Sequence, residues 1–129
     1  MTVYIFTTNA ATDAITIASG ANITAGDSVA DIGAGILNLG ANITAGPAAV
    51  ATTSGIILDT ATVNLTGAVS LKTIGTGSDI FLASVNGNQN LTLEAIDVIT
   101  LTSVGQAIAL NTVTVTNSNG VSAGPFSAA

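Results

Sequence analysis

The chain has 129 residues, of which 48% are hydrophobic, 3% aromatic and 6% charged, with seven acids against one cation and no cysteine. That length fits a single domain, 1–129. With Lys72 as the lone basic side chain, phosphate-backbone recognition is excluded, since it runs on Lys and Arg displacing counterions; without cysteine there are no disulfides and no thiolate metal sites.

Tyr4, Phe6, Phe81 and Phe126 are the only aromatic residues. A core built instead from Ile, Val, Leu and Ala suits a narrow interior between closely facing sheets. The surface is left to Thr, Ser, Asn, Gly and Ala, and with so little like-charge repulsion it favours association.

The first predicted strand is Val3, Tyr4, Ile5 and Phe6, an apolar stretch suited to joining an exposed sheet edge. Met1 to Phe6 lacks the basic flank and long apolar run of a secretory signal, so export relies on a signal removed, carried by a longer parent or left uncleaved. No run reaches the roughly 18 apolar residues of a membrane span.

From there apolar residues alternate in pairs along the chain: Ile15 and Ile17, Leu37 and Leu39, Val63 and Leu65, Leu91 and Leu93, Ile99 and Leu101, Ile108 and Leu110, Val113 and Val115. Period two marks strands with one buried face, and all of these residues but Ile108 and Leu110 are assigned to the core. Turn clusters separate them: Ser19-Gly20, Gly33 to Gly35, Gly46-Pro47, Ser54-Gly55, Gly75 to Ser78, Asn86 to Asn88 and Asn117 to Gly120. No apolar stripe of period 3.6 appears, so almost no helix is expected.

The pairs belong to a degenerate repeat. Gly-Ala-Asn-Ile-Thr-Ala-Gly occurs at 20–26 and again at 40–46, and the Asn of successive copies falls at Asn22, Asn42, Asn64, Asn90 and Asn111, steps of 20, 22, 26 and 21. A period in the low twenties in a Gly-rich chain predicts a stacked array with one coil per repeat, hence an all-β β-solenoid of about five to six coils, rising about 4.8 Å each. Its sheet edges stay open at both ends, with no polar or helical cap in the sequence. The alternative all-β fold is a β-sandwich or jelly-roll with donor-strand exchange, in which Val3 to Phe6 inserts into the next subunit.

In these copies, and in the stretch from Gly77 to Leu93, the chain resembles the repetitive β-solenoid surface proteins of bacteria, in the style of filamentous haemagglutinin-like adhesins. The resemblance spans roughly 13 to 121 and implies an extracellular or cell-surface role.

Several polar residues invite chemical readings. Asn22, Asn42, Asn64 and Asn90 each open an Asn-x-Thr sequon, suited to N-glycosylation where the machinery exists and otherwise to turns or stacked amide ladders. Gly75 to Phe81 matches part of a calcium-binding β-roll repeat, but such calcium sits between successive copies and only one copy is present. Asp27 with Asp31, and Glu94 with Asp97, have the residue types of a glycosidase acid pair, without His, Arg or clustered aromatics beside them. Thr60 and Thr62, Thr100 and Thr102, and Thr112, Thr114 and Thr116 suggest hydroxyl ranks for ice, broken in the other copies by Asn, Ala and Ser.

No nucleophile with a base, metal cluster or phosphate loop stands out, so no enzyme and no cofactor are expected. The expectation is a secreted structural or adhesive protein whose partner is itself, forming extracellular filaments or surface layers by strand pairing. The other readings are a donor-strand-exchanged pilin subunit and a monomeric ice- or carbohydrate-binding module, the latter with a glycan or surface ligand.

Overall fold

A computed structural model describes residues 3–6, 13–32, 35–46 and 55–128. Alternating apolar residues and a high content of Thr, Val and Ile put these segments into strands, and among the described residues there is no helix. All the ladders between named strands pair parallel, coil on coil.

Each coil visits three faces. The first face carries β1 (Val3–Phe6), β4 (Val29–Ile32), the start of β7 (Gly55–Leu65), the start of β9 (Asp79–Asn86), the start of β11 (Val98–Val104) and β13 (Gly120–Ala123). The second carries β2 (Ala14–Ile17), β5 (Ile36–Leu39) and the later halves of β7, β9 and β11. The third carries β3 (Ile23–Ala25), β6 (Ile43–Ala45), β8 (Val69–Thr73), β10 (Asn90–Glu94) and β12 (Thr112–Asn117).

Because β7, β9 and β11 run through both of the first two faces, those merge into one eight-stranded sheet, while the third is a separate five-stranded sheet. The register between β7 and β9 slips between Leu58 and Thr62, where the long strand passes from one face to the next.

The first ladder has six levels, Val3, Val29, Ile56, Ile80, Ile99 and Val121 in register, and the third has five, Ile23, Ile43, Leu71, Leu93 and Val115. The expected five to six coils are close to this. The chain is therefore a β-solenoid, and the sandwich alternative is set aside: parallel stacking of successive coils leaves no antiparallel hairpins from which to build one.

The interior is a set of aliphatic columns. Val29, Ile56, Ile80 and Ile99 line one wall, Leu37, Val63, Val85 and Val104 a second, and Ile43, Leu71 and Leu93 the third, all buried. Each fully buried side chain of this kind contributes about 1.5–3 kcal/mol, before the entropy of ordering is set against it.

Of the core positions read from the sequence, Leu37, Leu39, Val63, Leu65, Leu91, Leu93, Ile99 and Leu101 are buried. Ile15, Ile17 and Val113 are half-buried against the core, and Val115 is 40% exposed. The difference is positional: these four lie on β2 and β12, each of which has a described partner strand on one edge only.

Two sequence expectations need correction. The Asn series is not one column, because Asn22 and Asn42 stack on the third face whereas Asn64 lies on the second, in register with Asn38 and Asn86. Asn90 returns to the third face in register with Thr112, two residues before Thr92, which continues the Asn42 and Ser70 column. Secondly, Ile108 and Leu110 do not form a strand: they sit in a corner, with Ile108 exposed and Leu110 buried beneath an isolated bridge to Ala128. The turn at Pro47, and those at Gly33 and Ser54, lie outside the described residues.

Candidate assembly surface

Both ends of the coil stack are apolar and uncovered among the described residues. At the later end, β12 and β13 have a described partner on one edge only; Val115 on β12, Val121 on β13 and Phe126 beyond it are 40%, 50% and 49% exposed. At the earlier end, Ile15, Ile17 and Ile23 are the half-buried members of the core columns. The backbone of Val3, Tyr4, Ile5 and Phe6 pairs with β4 on one edge and with no described strand on the other. A parallel strand edge without a second partner carries unpaired N–H and C=O groups, the chemistry that accepts another strand.

The later end is stepped. Beyond β13 the chain lays down part of a sixth coil: Phe126 bridges to Val104 and Ala128 to Leu110, held by Val104 N–H to Pro125 O at 2.9 Å and Ser127 N–H to Val104 O at 2.9 Å. The third face has no strand above β12 among the described residues, so it stops one level short of the other two. Among the described residues no acidic or basic side chain follows Asp97, which is hydrogen-bonded to Asn119 beside the start of β13.

The flanks are polar and their side chains are largely engaged with neighbouring coils. Asn22 Oδ1 accepts the N–H of Asn42 at 2.9 Å and Asn42 Oδ1 accepts that of Ser70 at 2.9 Å. Asn90 Oδ1 accepts from Asn111 Nδ2 at 2.6 Å and Thr112 Oγ1 at 3.0 Å. Asn22, Asn42 and Asn90 are exposed and Asn64 is half-buried, so the four sequons do not share one environment.

Four of the acids are likewise engaged. Glu94 Oε1 lies 3.2 Å from Lys72 Nζ, Asp97 Oδ1 accepts from Asn119 Nδ2 at 3.3 Å, and Asp27 Oδ1 accepts from the Ser28 hydroxyl at 3.2 Å. In the Gly75 to Phe81 segment, Asp79 Oδ1 accepts the Val98 N–H at 2.9 Å and the Ser78 hydroxyl closes a turn onto Gly75 O. Among the described residues no three acidic side chains gather into a group able to hold a metal ion.

On the third face, the outward column of Thr24 and Thr44 continues as Lys72 and Glu94, which interrupts the hydroxyl rank an ice face requires. A shallow groove of about 320 Å³ crosses this face, lined by Asn42, Ala68, Val69, Ser70, Asn90 and Thr92.

Sequence reasoning missed the buried polar group beneath the corners. Asn86 is 5% exposed, and its Oδ1 takes the Ala107 N–H at 2.9 Å. Thr73, fully buried, accepts the Ile96 N–H at 3.0 Å and donates to Ser78 O at 3.3 Å. A polar residue in an inward column where the chain must turn is the one signal that marks such positions, and the strand pattern conceals it.

Fold and surface together define a parallel β-solenoid repeat protein whose apolar ends are uncovered among the described residues. No family model, no curated protein and no solved structure matches the chain.

Proposed function

We propose that this is a secreted, non-enzymatic structural or adhesive protein that self-associates through its strand edges into extracellular filaments or surface layers. The observation that carries this reading is the exposure of Val115, Val121 and Phe126 at the end of inward columns that are buried in the central coils. A surface with one cation and seven acids leaves little long-range repulsion between copies beyond a net charge of −6, which physiological salt screens within about 8 Å. The resemblance to filamentous haemagglutinin-like adhesins supports an extracellular or cell-surface location.

Multi-angle light scattering over a range of concentration, with negative-stain electron microscopy of the same samples, tests it. Mass rising with concentration and rods one coil-stack wide are expected; a monodisperse monomer at high concentration overturns the proposal.

The groove beside Asn42 and Asn90, with its amides and hydroxyls, favours a second reading as a monomeric carbohydrate-binding module. Glycan-array binding by a monomeric sample, lost in Asn90→Ala, would put that reading first.

A further inference from the structure

We infer that the groove across the third face is a seat for an N-acetylated hexosamine, recognised by its acetamido group. The inference rests on the carbohydrate reading of this groove and names the ligand class; it is independent of self-association.

The groove is a dent in the middle of the coil stack. Val69 is buried, so Ala68 and Ser70 on either side of it point outward, and both are small. Asn42 stands on the coil before them, next to Ser70, while Asn90 and Thr92 stand on the coil after. The space between these taller walls is about 320 Å³, at the small end of ligand sites, which suits a mono- or disaccharide. Asn42 and Asn90 lie two coils apart, about 9.6 Å along the axis, so a ligand laid along the groove meets an amide at each end. Because β6, β8 and β10 are each paired on both edges, no backbone row is open here to an extended peptide, and recognition falls to side chains.

Those side chains offer donors. Asn42 Oδ1 is taken by the Ser70 N–H, and Asn90 Oδ1 by Asn111 Nδ2 and the Thr112 hydroxyl. What remains is the Nδ2 group of each amide with the hydroxyls of Ser70 and Thr92, none of which has a partner among the described residues. A carbonyl oxygen takes an amide N–H and leaves nothing unpaired, whereas every sugar hydroxyl brings a proton that only Ser70 Oγ and Thr92 Oγ1 can accept. An acetamido group supplies that carbonyl, an N–H for one of the two hydroxyls and a methyl for Ala68. No aromatic ring lines the groove, so the face of a plain hexose finds nothing to stack on. The one basic side chain, Lys72, is already paired with Glu94 at 3.2 Å, which gives an anionic sugar no advantage.

Titration of the isotope-labelled full chain with N,N′-diacetylchitobiose, and separately with cellobiose, is read by NMR at the side-chain amide signals of Asn42 and Asn90. Diacetylchitobiose is expected to shift both signals and to bind about tenfold more tightly than cellobiose. Asn42→Asp and Asn90→Asp keep the oxygen that the neighbouring coil uses and remove the Nδ2 donor, so each is expected to weaken binding about tenfold with the circular dichroism of the parent. Ala68→Leu fills the place of the methyl and should weaken binding likewise. Equal binding of the two disaccharides overturns the acetamido assignment and leaves the carbohydrate reading standing. Binding undiminished in all three variants puts the sugar elsewhere and overturns the site. Binding of neither disaccharide overturns the inference, and a blank glycan array then removes the carbohydrate reading as well.

Discussion

Asn22 Oδ1 accepts the backbone N–H of Asn42, the residue that occupies its own place one coil later, and Asn42 does the same for Ser70. The repeated residue is thus a fastener between coils. Each such bond contributes about 0.5–1.5 kcal/mol net, with exposure favouring the lower end. Asn42→Ala is expected to lower the unfolding free energy by about 1 kcal/mol in urea titration, because it frees the Ser70 N–H. Asn42→Asp keeps the acceptor and should lose less. Equal losses would show that the amide contributes something other than this oxygen.

Leu39 is fully buried, whereas Ile17, its register partner one coil earlier, is only half-buried. A carboxylate at the first site has no partner and no water, so Leu39→Asp should abolish folding by circular dichroism. Ile17→Asp should leave a folded body with a disrupted first coil. Thr114 is exposed, and Thr114→Ser should change the unfolding free energy by less than about 0.5 kcal/mol. A Leu39→Asp protein that melts like the parent would contradict the inward assignment.

The inward pairs were readable from the sequence because period two is imposed by the strand itself. Assignment to a face was not, because every face shows the same alternation: Val63 and Leu65 look like Leu91 and Leu93, yet the first pair lies on the second face and the other on the third. Aligning the repeat on Asn therefore mixes at least three columns, since the corners between faces differ in length and the slip after Leu58 shifts the count again. Val115 could not be told from Leu93 for a different reason: both are inward residues of a strand, and only the absence of a described coil above β12 separates them. The uncovered end, which is the candidate site, depends on stacking order and so lies beyond a residue-by-residue reading.

Close stacking also sets where side chains cannot go. At Gly87, with φ +120°, a Cβ would meet Leu65 O at 2.5 Å in the coil beneath. At Gly20, with φ +84°, nothing lies within 4 Å. Gly20→Ala should cost only the left-handed backbone term, about 1–2 kcal/mol, while Gly87→Ala adds a backbone clash and should cost several kcal/mol more by thermal or urea unfolding. Comparable losses at the two sites would mean that the coils separate freely at Leu65.

Lys72 and Glu94 face each other across adjacent coils, 3.2 Å apart, with side-chain exposures of 43% and 35%. Water and salt screen such a pair, and exposed pairs are worth about 0.2–1 kcal/mol. Lys72→Gln should therefore destabilise the monomer by less than about 1 kcal/mol, and the loss should shrink in 0.5 M salt. A loss that does not depend on salt would assign Lys72 a packing role through its aliphatic stem instead.

Hydrogen exchange connects stability to assembly. The central strands β8 and β9 have a coil on each side, whereas β12 has a described partner on one edge only, so the amides of its other edge should open with far lower free energy. If a second copy covers that edge, protection of the β12 amides must rise with protein concentration through mass action, while β8 and β9 remain at the level set by global unfolding. Val115→Asp, placed on the same strand but 40% exposed, should leave the exchange of β8 unchanged and remove the concentration dependence at β12. Protection at β12 that is already high in dilute monomer would mean that the end of the solenoid is stable without a neighbour, and the uncovered Val115, Val121 and Phe126 would then need another occupant.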